Sequence, residues 1–347
     1  MSTTETKIEW CDRTWNPVRG CSRISEGCRN CYAERVAARF SGTFSTEDVT
    51  LDTRDAPGKS RSAPFRGFAE MRDGKARWTG KVELVPDALD APLRWRNPAR
   101  IFVNSMSDLF HESLSNEDIA AVFGVMAAAP QHTFLVLTKR AERMRTWFRW
   151  LSDFDTVLPA KEVRTVTLAA AKRLREPFGP HAGPGARGEI AWPLPNVWLG
   201  VSVEDQAIAD ERIPHLLATP AAVRFVSYEP ALGPVDFRKA LPHHPDCSDC
   251  FSGRTNLDWL IVGGESGPGA RPFDVSWARS AVEQCKAAGV PVFVKQLGAR
   301  PVLATPPSGA PDDGGDVVEL RLRDRKGGDP DEWPEDLRVR EWPRGAA

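Results

Sequence analysis

The sequence predicts an α/β protein: a partial TIM-like barrel of parallel strands, of (βα)6 type, with loop insertions and a C-terminal extension. Two observations predict it. Six short runs rich in Val, Ile, Leu, Phe and Trp are apolar without a break instead of alternating, which is the pattern of strands buried on both faces of a parallel sheet. Most of them lead into helical periodicity, and repeated strand-then-helix order builds right-handed βα units that close into a full or partial barrel.

In chain order the strand runs are residues 99–108 (ARIFVNSMSD), 132–140 (HTFLVLTKR), 196–205 (NVWLGVSVED), 223–230 (VRFVSYEP), 257–266 (LDWLIVGGES) and 290–298 (VPVFVKQLG). Helical stretches sit between them: SNEDIAAVFGVMAAA, AERMRTWFRWL and DQAIADERIPHLL after the first three, and VSWARSAVEQCKAAG before the last. Nearer the start, Ala33, Val36, Ala37 and Phe40 recur at i, i+3, i+4, i+7 and mark a first helix. Polar, turn-rich stretches at residues 41–90, 155–195 and 241–256 read as insertions. A barrel domain is therefore expected over residues 1–300. Residues 301–347 read as a linker and a short docked extension.

The chain has 347 residues, 41% hydrophobic and 27% charged, enough to bury a large core. No apolar run reaches the roughly 20 residues that cross a bilayer, and the N-terminus lacks a secretory pattern. A cytoplasmic monomer with no membrane partner is expected. In that reducing compartment seven cysteines, an odd and clustered set, point to metal or redox chemistry before disulfides. A net charge of -1 gives no whole-chain argument for nucleic acid, so any such site must be a local basic groove.

In a parallel barrel the C-terminal strand ends share one mouth. Collected there are Asn104, Ser105, Ser107 and Asp108; Thr138, Lys139 and Arg140; Ser202 and Glu204; Tyr228 and Glu229; Gly264, Glu265 and Ser266; Lys295 and Gln296. Strands must end in something polar, but nearly all of these end in a charged group. The glycines of GGESGPGARP beside Glu265 allow a backbone to approach a ligand closely, although their spacing matches neither nucleotide-binding glycine motif. Ahead of the first helix, Cys21, Cys28 and Cys31 form C-x6-C-x2-C, with Gly20 and Gly27 before two of them. Thiolates are soft ligands for zinc or iron–sulfur clusters, and three leave one coordination position open. The plain alternative is three unrelated buried thiols.

The segments NPVRGCSRISEGCRNCYAER, FVNSMSDLFHE, FLVLTKR, VWLGVSVEDQ, RFVSYEPALGP, IVGGESGPGARP and VFVKQLG together resemble a phage-associated, three-cysteine branch of the radical S-adenosylmethionine (SAM) superfamily, over about residues 8 to 300. In outline that branch is similar to spore photoproduct lyase. The spacing differs from the common C-x3-C-x2-C, Asn30 stands where an aromatic residue usually precedes the last cysteine, and GGE falls late in the chain. The resemblance implies a 4Fe-4S cluster on Cys21, Cys28 and Cys31, SAM on its open iron, and an electron donor such as flavodoxin or ferredoxin. It implies Ser105, Ser107 and Asp108 near the SAM amino group, Lys139 at its carboxylate, and Ser202 with Glu204 at its ribose. Glu265 joins this cofactor set, while Glu229, Lys295 and Gln296 face substrate, Glu229 and Lys295 in catalytic roles.

The likeness to the lyase implies an extra cysteine as hydrogen donor, for which Cys285 and the Cys247/Cys250 pair are candidates; on its amphipathic helix Cys285 also reads as a packing residue. His243, His244, Cys247 and Cys250 in HHPDCSDC are enough ligands for a zinc ion. Arg94, Arg96 and Arg100 around Trp95, and Arg140, Arg143, Arg145 and Arg149 around Trp147 and Trp150, suit phosphate contact and base stacking or a snorkelling surface. The expected substrate is a damaged or modified nucleotide in DNA. Two other readings stand beside this one: a non-catalytic metal-binding phage accessory protein, and a metal-dependent barrel hydrolase using Asp108, Glu204, Glu229 and Glu265.

Overall fold

A computed structural model of the chain describes residues 6, 8–41, 64–157, 192–242, 256–304 and 317–343, with side chains left out at 153–157, 304 and 317. Seven strands form its main sheet: β1 (Arg13–Trp15), β2 (Arg100–Val103), β3 (Thr133–Thr138), β4 (Val197–Ser202), β5 (Val223–Tyr228), β6 (Trp259–Gly263) and β7 (Val292–Gln296). They are hydrogen-bonded in chain order and every neighbouring pair is parallel. The curled sheet is a partial TIM-like barrel. β2 to β7 lie inside the six predicted runs. β1 is additional: at three residues, Arg-Thr-Trp, it is too short to show an apolar run.

The longer described helices are α1 (Tyr32–Arg39), α2 (Asn116–Ala128), α3 (Ala141–Val157), α4 (Gln206–Leu217) and α5 (Val275–Ala288). Side chains that satisfy free N–H groups define several of their starts. Ser115 and Asp118 form a reciprocal capping box on α2, Asp205 accepts from Ile208 N–H on α4, and Asp274 accepts from Ser276 N–H on α5. α5 stops at Gly289, whose φ of 68° is the left-handed conformation that ends a helix cheaply only in glycine. Among the described residues no helix is long and apolar enough to cross a membrane.

Strand alternation divides the core in two. Ile101, Val103, Phe134, Val136, Leu199, Val201, Leu260, Val262, Val292 and Val294 pack outward in one core with residues of α2 to α5. Phe102, Leu135, Trp198, Phe225, Trp259, Ile261 and Phe293 fill the interior together with Trp10 and Cys11. Each large side chain of this floor contributes about 1.5–3 kcal/mol by leaving water. A Cβ at Gly200 would stand 2.5 Å from the Phe225 ring, so β4 carries a glycine where the neighbouring strand supplies bulk.

The far end of the chain docks on the free edge of β7. Val294 N–H donates to Val339 C=O, Glu341 N–H to Val292 C=O, and Trp259 Nε1–H to Glu341 C=O. Trp342 then meets Phe293 at 4.9 Å and lies under the Arg100 guanidinium at 5.0 Å, reaching from β7 across to β2. Pro301–Ala304 pairs with Phe273–Asp274 and with Val317–Glu319. Within the first insertion, Ala69–Arg72 and Lys75–Trp78 form a hairpin whose Asp73-Gly74 turn has φ of 51° and 68°. It packs on α1 through Ala69, Ala37 and Ala38. His243, His244, Cys247 and Cys250 lie outside the described residues.

Candidate functional site

From the end of β1 the chain crosses the mouth as a loop that carries the three cysteines into α1, with Cys31 at the helix N-cap. Gly20 has φ of 87°, and a Cβ there would collide with the Lys81 carbonyl. A Cβ at Gly27 would run into the Glu204 carboxylate. Gly20 therefore marks close approach and a left-handed backbone, and Gly27 close approach alone.

Cys21, Cys28 and Cys31 are half-buried and near enough for their charges to couple. Burial, with Asp108 next, pushes the Cys21 thiol up to about 12. Burial also raises Cys31, against the N–H groups of Glu34 and Ala33 at the start of α1. Thiols held protonated in this way are deprotonated when a metal binds. Three soft donors on one loop suit an iron–sulfur cluster, which spreads its ligands around several irons. Among the described residues no group of three His, Cys, Asp or Glu side chains, the cysteine triad included, is placed to hold a metal ion.

Carboxylates from three strand ends hold the cysteine loop. Asp108, past the end of β2, is buried and accepts from Thr138 Oγ1 at 2.7 Å, Phe110 N–H at 3.0 Å, Lys139 N–H at 3.1 Å and Arg140 Nη1 at 3.2 Å. Arg140 passes the connection on: Nη2 donates to Ser22 Oγ at 2.7 Å, and Nη1 lies 3.9 Å from Cys21 Sγ. His111 Nε2 also meets Ser22 Oγ, at 2.8 Å. Glu204, after β4, is 1% exposed and takes Ser25 Oγ at 2.8 Å, Lys139 Nζ at 2.9 Å and Arg212 Nη1 at 3.2 Å. Glu265, after β6, takes Asn30 Nδ2 at 2.9 Å and the Arg271 guanidinium at 2.8 Å; Arg271 in turn reaches the Glu26 carbonyl at 3.0 Å.

Burial alone would raise both glutamates. Lys139 and Arg212 outweigh it at Glu204, and Arg271 with Asn30 outweighs it at Glu265, so both sit below the ordinary 4.5. At Arg140 burial opposes the charge, but Asp108, Cys21 and Glu112 hold the guanidinium above its usual range.

Of the other cofactor candidates, Ser105 Oγ donates to Asn16 Oδ1 at 3.2 Å and Ser107 Oγ to Val18 C=O at 2.9 Å, so both fasten the same loop. The Ser202 carbonyl accepts from Arg212 at 2.9 Å. Glu229 and Lys295 pair at 2.9 Å on the later strands, and Ser227 Oγ donates to Glu229 at 3.2 Å. A Cβ at Gly263 would come within 2.6 Å of Glu229, so β6 leaves that carboxylate its room. Burial opposes the charge of Lys295, and Glu229 more than offsets it, leaving the ammonium above its ordinary value. Gln296 is buried and donates to Gly264 C=O at 2.8 Å.

Cys285 is not brought to the mouth. It is fully buried in the outer core under α5, its carbonyl accepts from Val290 N–H just before β7 begins, and burial pushes its thiol up to about 12. The cysteine inside the barrel is Cys11, also pushed up to about 12 by burial and then by Asp12. Part of the arginine and tryptophan groups is turned to other uses. Trp147 is fully buried against Phe123 at 4.6 Å, Arg140 is buried in the loop network, and Arg94 and Arg100 pair with Asp90 and Asp12. The four carboxylates of the hydrolase reading each meet their own cation instead of converging on one ion.

A family profile described as a protein of unknown function, DUF5131, matches residues 5–317, most of the chain. The chain belongs to the DUF5131 family. No curated protein and no solved structure matches it. In this DUF5131 chain the residues the sequence did not single out include Ser22, Ser25, Arg212 and Arg271. Their only advance signal is proximity to the cysteines or to a strand-end carboxylate.

Proposed function

We propose that this protein is a radical SAM enzyme, with Cys21, Cys28 and Cys31 as ligands of a 4Fe-4S cluster. The observation that carries the reading is the loop's fixation: carboxylates from three strand ends, acting through Ser22, Ser25, Asn30 and Arg271, hold three thiols over the barrel mouth before any metal arrives. Fixed donors lose little freedom on binding a ligand. When bound, the cluster and SAM supply an electron-driven cleavage to methionine and a 5'-deoxyadenosyl radical, with flavodoxin or ferredoxin as the donor class.

The chain's own residues position the reactants and exclude water. Lys139, paired with Glu204 but 20% exposed at the side-chain level, is a cation open to a carboxylate at the mouth. Ser105, Ser107, Asp108, Ser202, Glu204 and Glu265 shape that side of the site chiefly by holding the loop and Lys139 in place. A damaged or modified DNA nucleotide is the proposed substrate. Arg39 and Arg66, flanking exposed Phe40 at the end of α1, are exposed with no carboxylate partner among the described residues. Cations beside exposed rings suit phosphates and bases.

The test is anaerobic reconstitution, reduction and incubation with SAM. The reading expects 5'-deoxyadenosine from the wild-type chain and none from Cys31→Ala. Equal product from both would refute it.

A further inference from the structure

The C-terminal extension touches the strand ends at the mouth as well as the free edge of β7. Gly327 C=O accepts from Leu297 N–H, just past β7, at 2.8 Å and from the buried Nε1–H of Trp333 at 2.9 Å. Arg340 donates from Nη2 to Lys295 C=O at 3.1 Å and to Gly328 C=O at 3.2 Å, and from Nε to Val294 C=O at 3.3 Å. Trp333 and Leu337 are buried in the outer core and anchor the extension there.

From Gly327 inward, backbone packs on backbone at successive levels. A Cβ at Gly327, whose φ is 61°, would collide with the Gly298 carbonyl. One at Gly298 would stand 2.7 Å from the Glu265 carbonyl, and one at Gly264 would stand 2.5 Å from the Leu297 carbonyl. Hydrogen bonds run alongside these contacts, from Gly264 N–H to Gln296 C=O at 3.0 Å and from Ala299 N–H to Glu265 C=O at 2.8 Å. At each level the closest atom belongs to the main chain, which cannot swing aside as a side chain does, and close-packed groups of this kind transmit a displacement. The path ends on the Glu265 carboxylate. It accepts from Arg271 N–H and from Asn30 Nδ2, both at 2.9 Å, and Asn30, between Cys28 and Cys31, also donates to Gly269 C=O at 2.9 Å.

We propose that Gly327 is a positioning residue for the cysteine loop: the docked extension sets the Leu297–Gly298 turn, the turn sets Glu265, and Glu265 sets the Cys28 to Cys31 part of the loop through Asn30 and Arg271. Asp108 and Glu204 hold the Ser22 and Ser25 parts from past β2 and β4, off this path. The extension therefore governs one support of the loop and leaves the other two in place. Its importance to a bound cluster rests on the metal reading above; the mechanical link does not.

The experiment is amide hydrogen exchange of the full chain without metal, read by mass spectrometry of its peptides, in the wild type, Gly327→Ala and Trp333→Phe. Gly327→Ala forces a methyl group against the Gly298 carbonyl. Trp333→Phe keeps a ring in the core and removes one donor to Gly327 C=O. In Gly327→Ala, exchange speeds up about tenfold or more over residues 296–299, 264–271 and 26–31, and stays within about twofold of the wild type over residues 104–114 and 139–144 around Asp108. Trp333→Phe gives the same pattern at about threefold or more, and it carries the test if the alanine variant does not fold. After anaerobic reconstitution both variants hold less iron per chain than the wild type.

Two exchange results overturn the proposal. Unchanged exchange over residues 26–31 in both variants would make the extension a cover for the β7 edge and nothing more. Equal acceleration around Asp108 would mean a general loss of stability. Wild-type iron content in variants with the expected exchange pattern would sever the link to the metal. A wild type that takes up no iron would instead defeat the radical reading and leave the exchange result standing.

Discussion

Two parts of the same mouth treat polar side chains in opposite ways. Around the cysteine loop, Asp108, Glu204 and Glu265 are buried and engaged by Arg140, Lys139, Arg212, Arg271 and small loop residues. A few residues away, Asn104 and Trp10 are just as buried and have unpaired polar atoms, while Glu229 and Lys295 remain partly open. The first arrangement fixes a loop, whereas the second leaves hydrogen-bonding capacity unused. Residues that look alike as polar strand ends therefore divide by whether the fold supplies their partners.

The largest expected effect comes from breaking the loop side. Glu204→Gln leaves Lys139 and Arg212 without their carboxylate, and removing one partner of a buried pair destabilises by about 3–5 kcal/mol. A urea titration checks the size; a change below about 1 kcal/mol would mean that the network is slack. The same residue sharpens the comparison through pH. Because Glu204 and Glu265 have depressed pKa values in the fold, the unfolded chain takes up protons first. Their stabilisation is complete above the ordinary 4.5 and drains away as pH falls below it. Melting temperature against pH should therefore fall less steeply on the acid side in Glu204→Gln than in the wild type.

A smaller effect is expected from Gly27→Ala, which drives a methyl group into Glu204. Overpacking of this kind destabilises by about 1–3 kcal/mol, and here it should also lower metal uptake by displacing the loop. Wild-type uptake and stability in this variant would count against the close approach. Smallest is Cys285→Ala. That thiol lies in the outer core, so its removal should destabilise by about 1 kcal/mol and leave iron binding and SAM cleavage unchanged; lost turnover at normal iron content would restore Cys285 to the chemistry.

What was legible in the sequence follows from range. β2 to β7 were legible because burial on both faces writes a continuous apolar run, and β1 was not because three residues cannot write one. The cysteine triad was legible because its members are neighbours in sequence. The partners of Glu204 and Glu265 were not, since Ser25 and Asn30 lie 179 and 235 residues away and look like ordinary loop residues. Trp147 was misplaced as a surface group although a signal existed: with Met144 and Phe148 it forms an i, i+3, i+4 stripe, the mark of a helix face turned to the core. Asn104 showed only as a strand end, because an unpaired amide is a property of its surroundings.

The most direct test of the central claim, that the fixed loop presents three thiols to one cluster, is iron and sulfide content per chain after anaerobic reconstitution. The account predicts about four of each in the wild type, with loss in Cys21→Ala, Cys28→Ala and Cys31→Ala taken singly. Stoichiometric zinc without iron, or full iron content in any of the three variants, would contradict it.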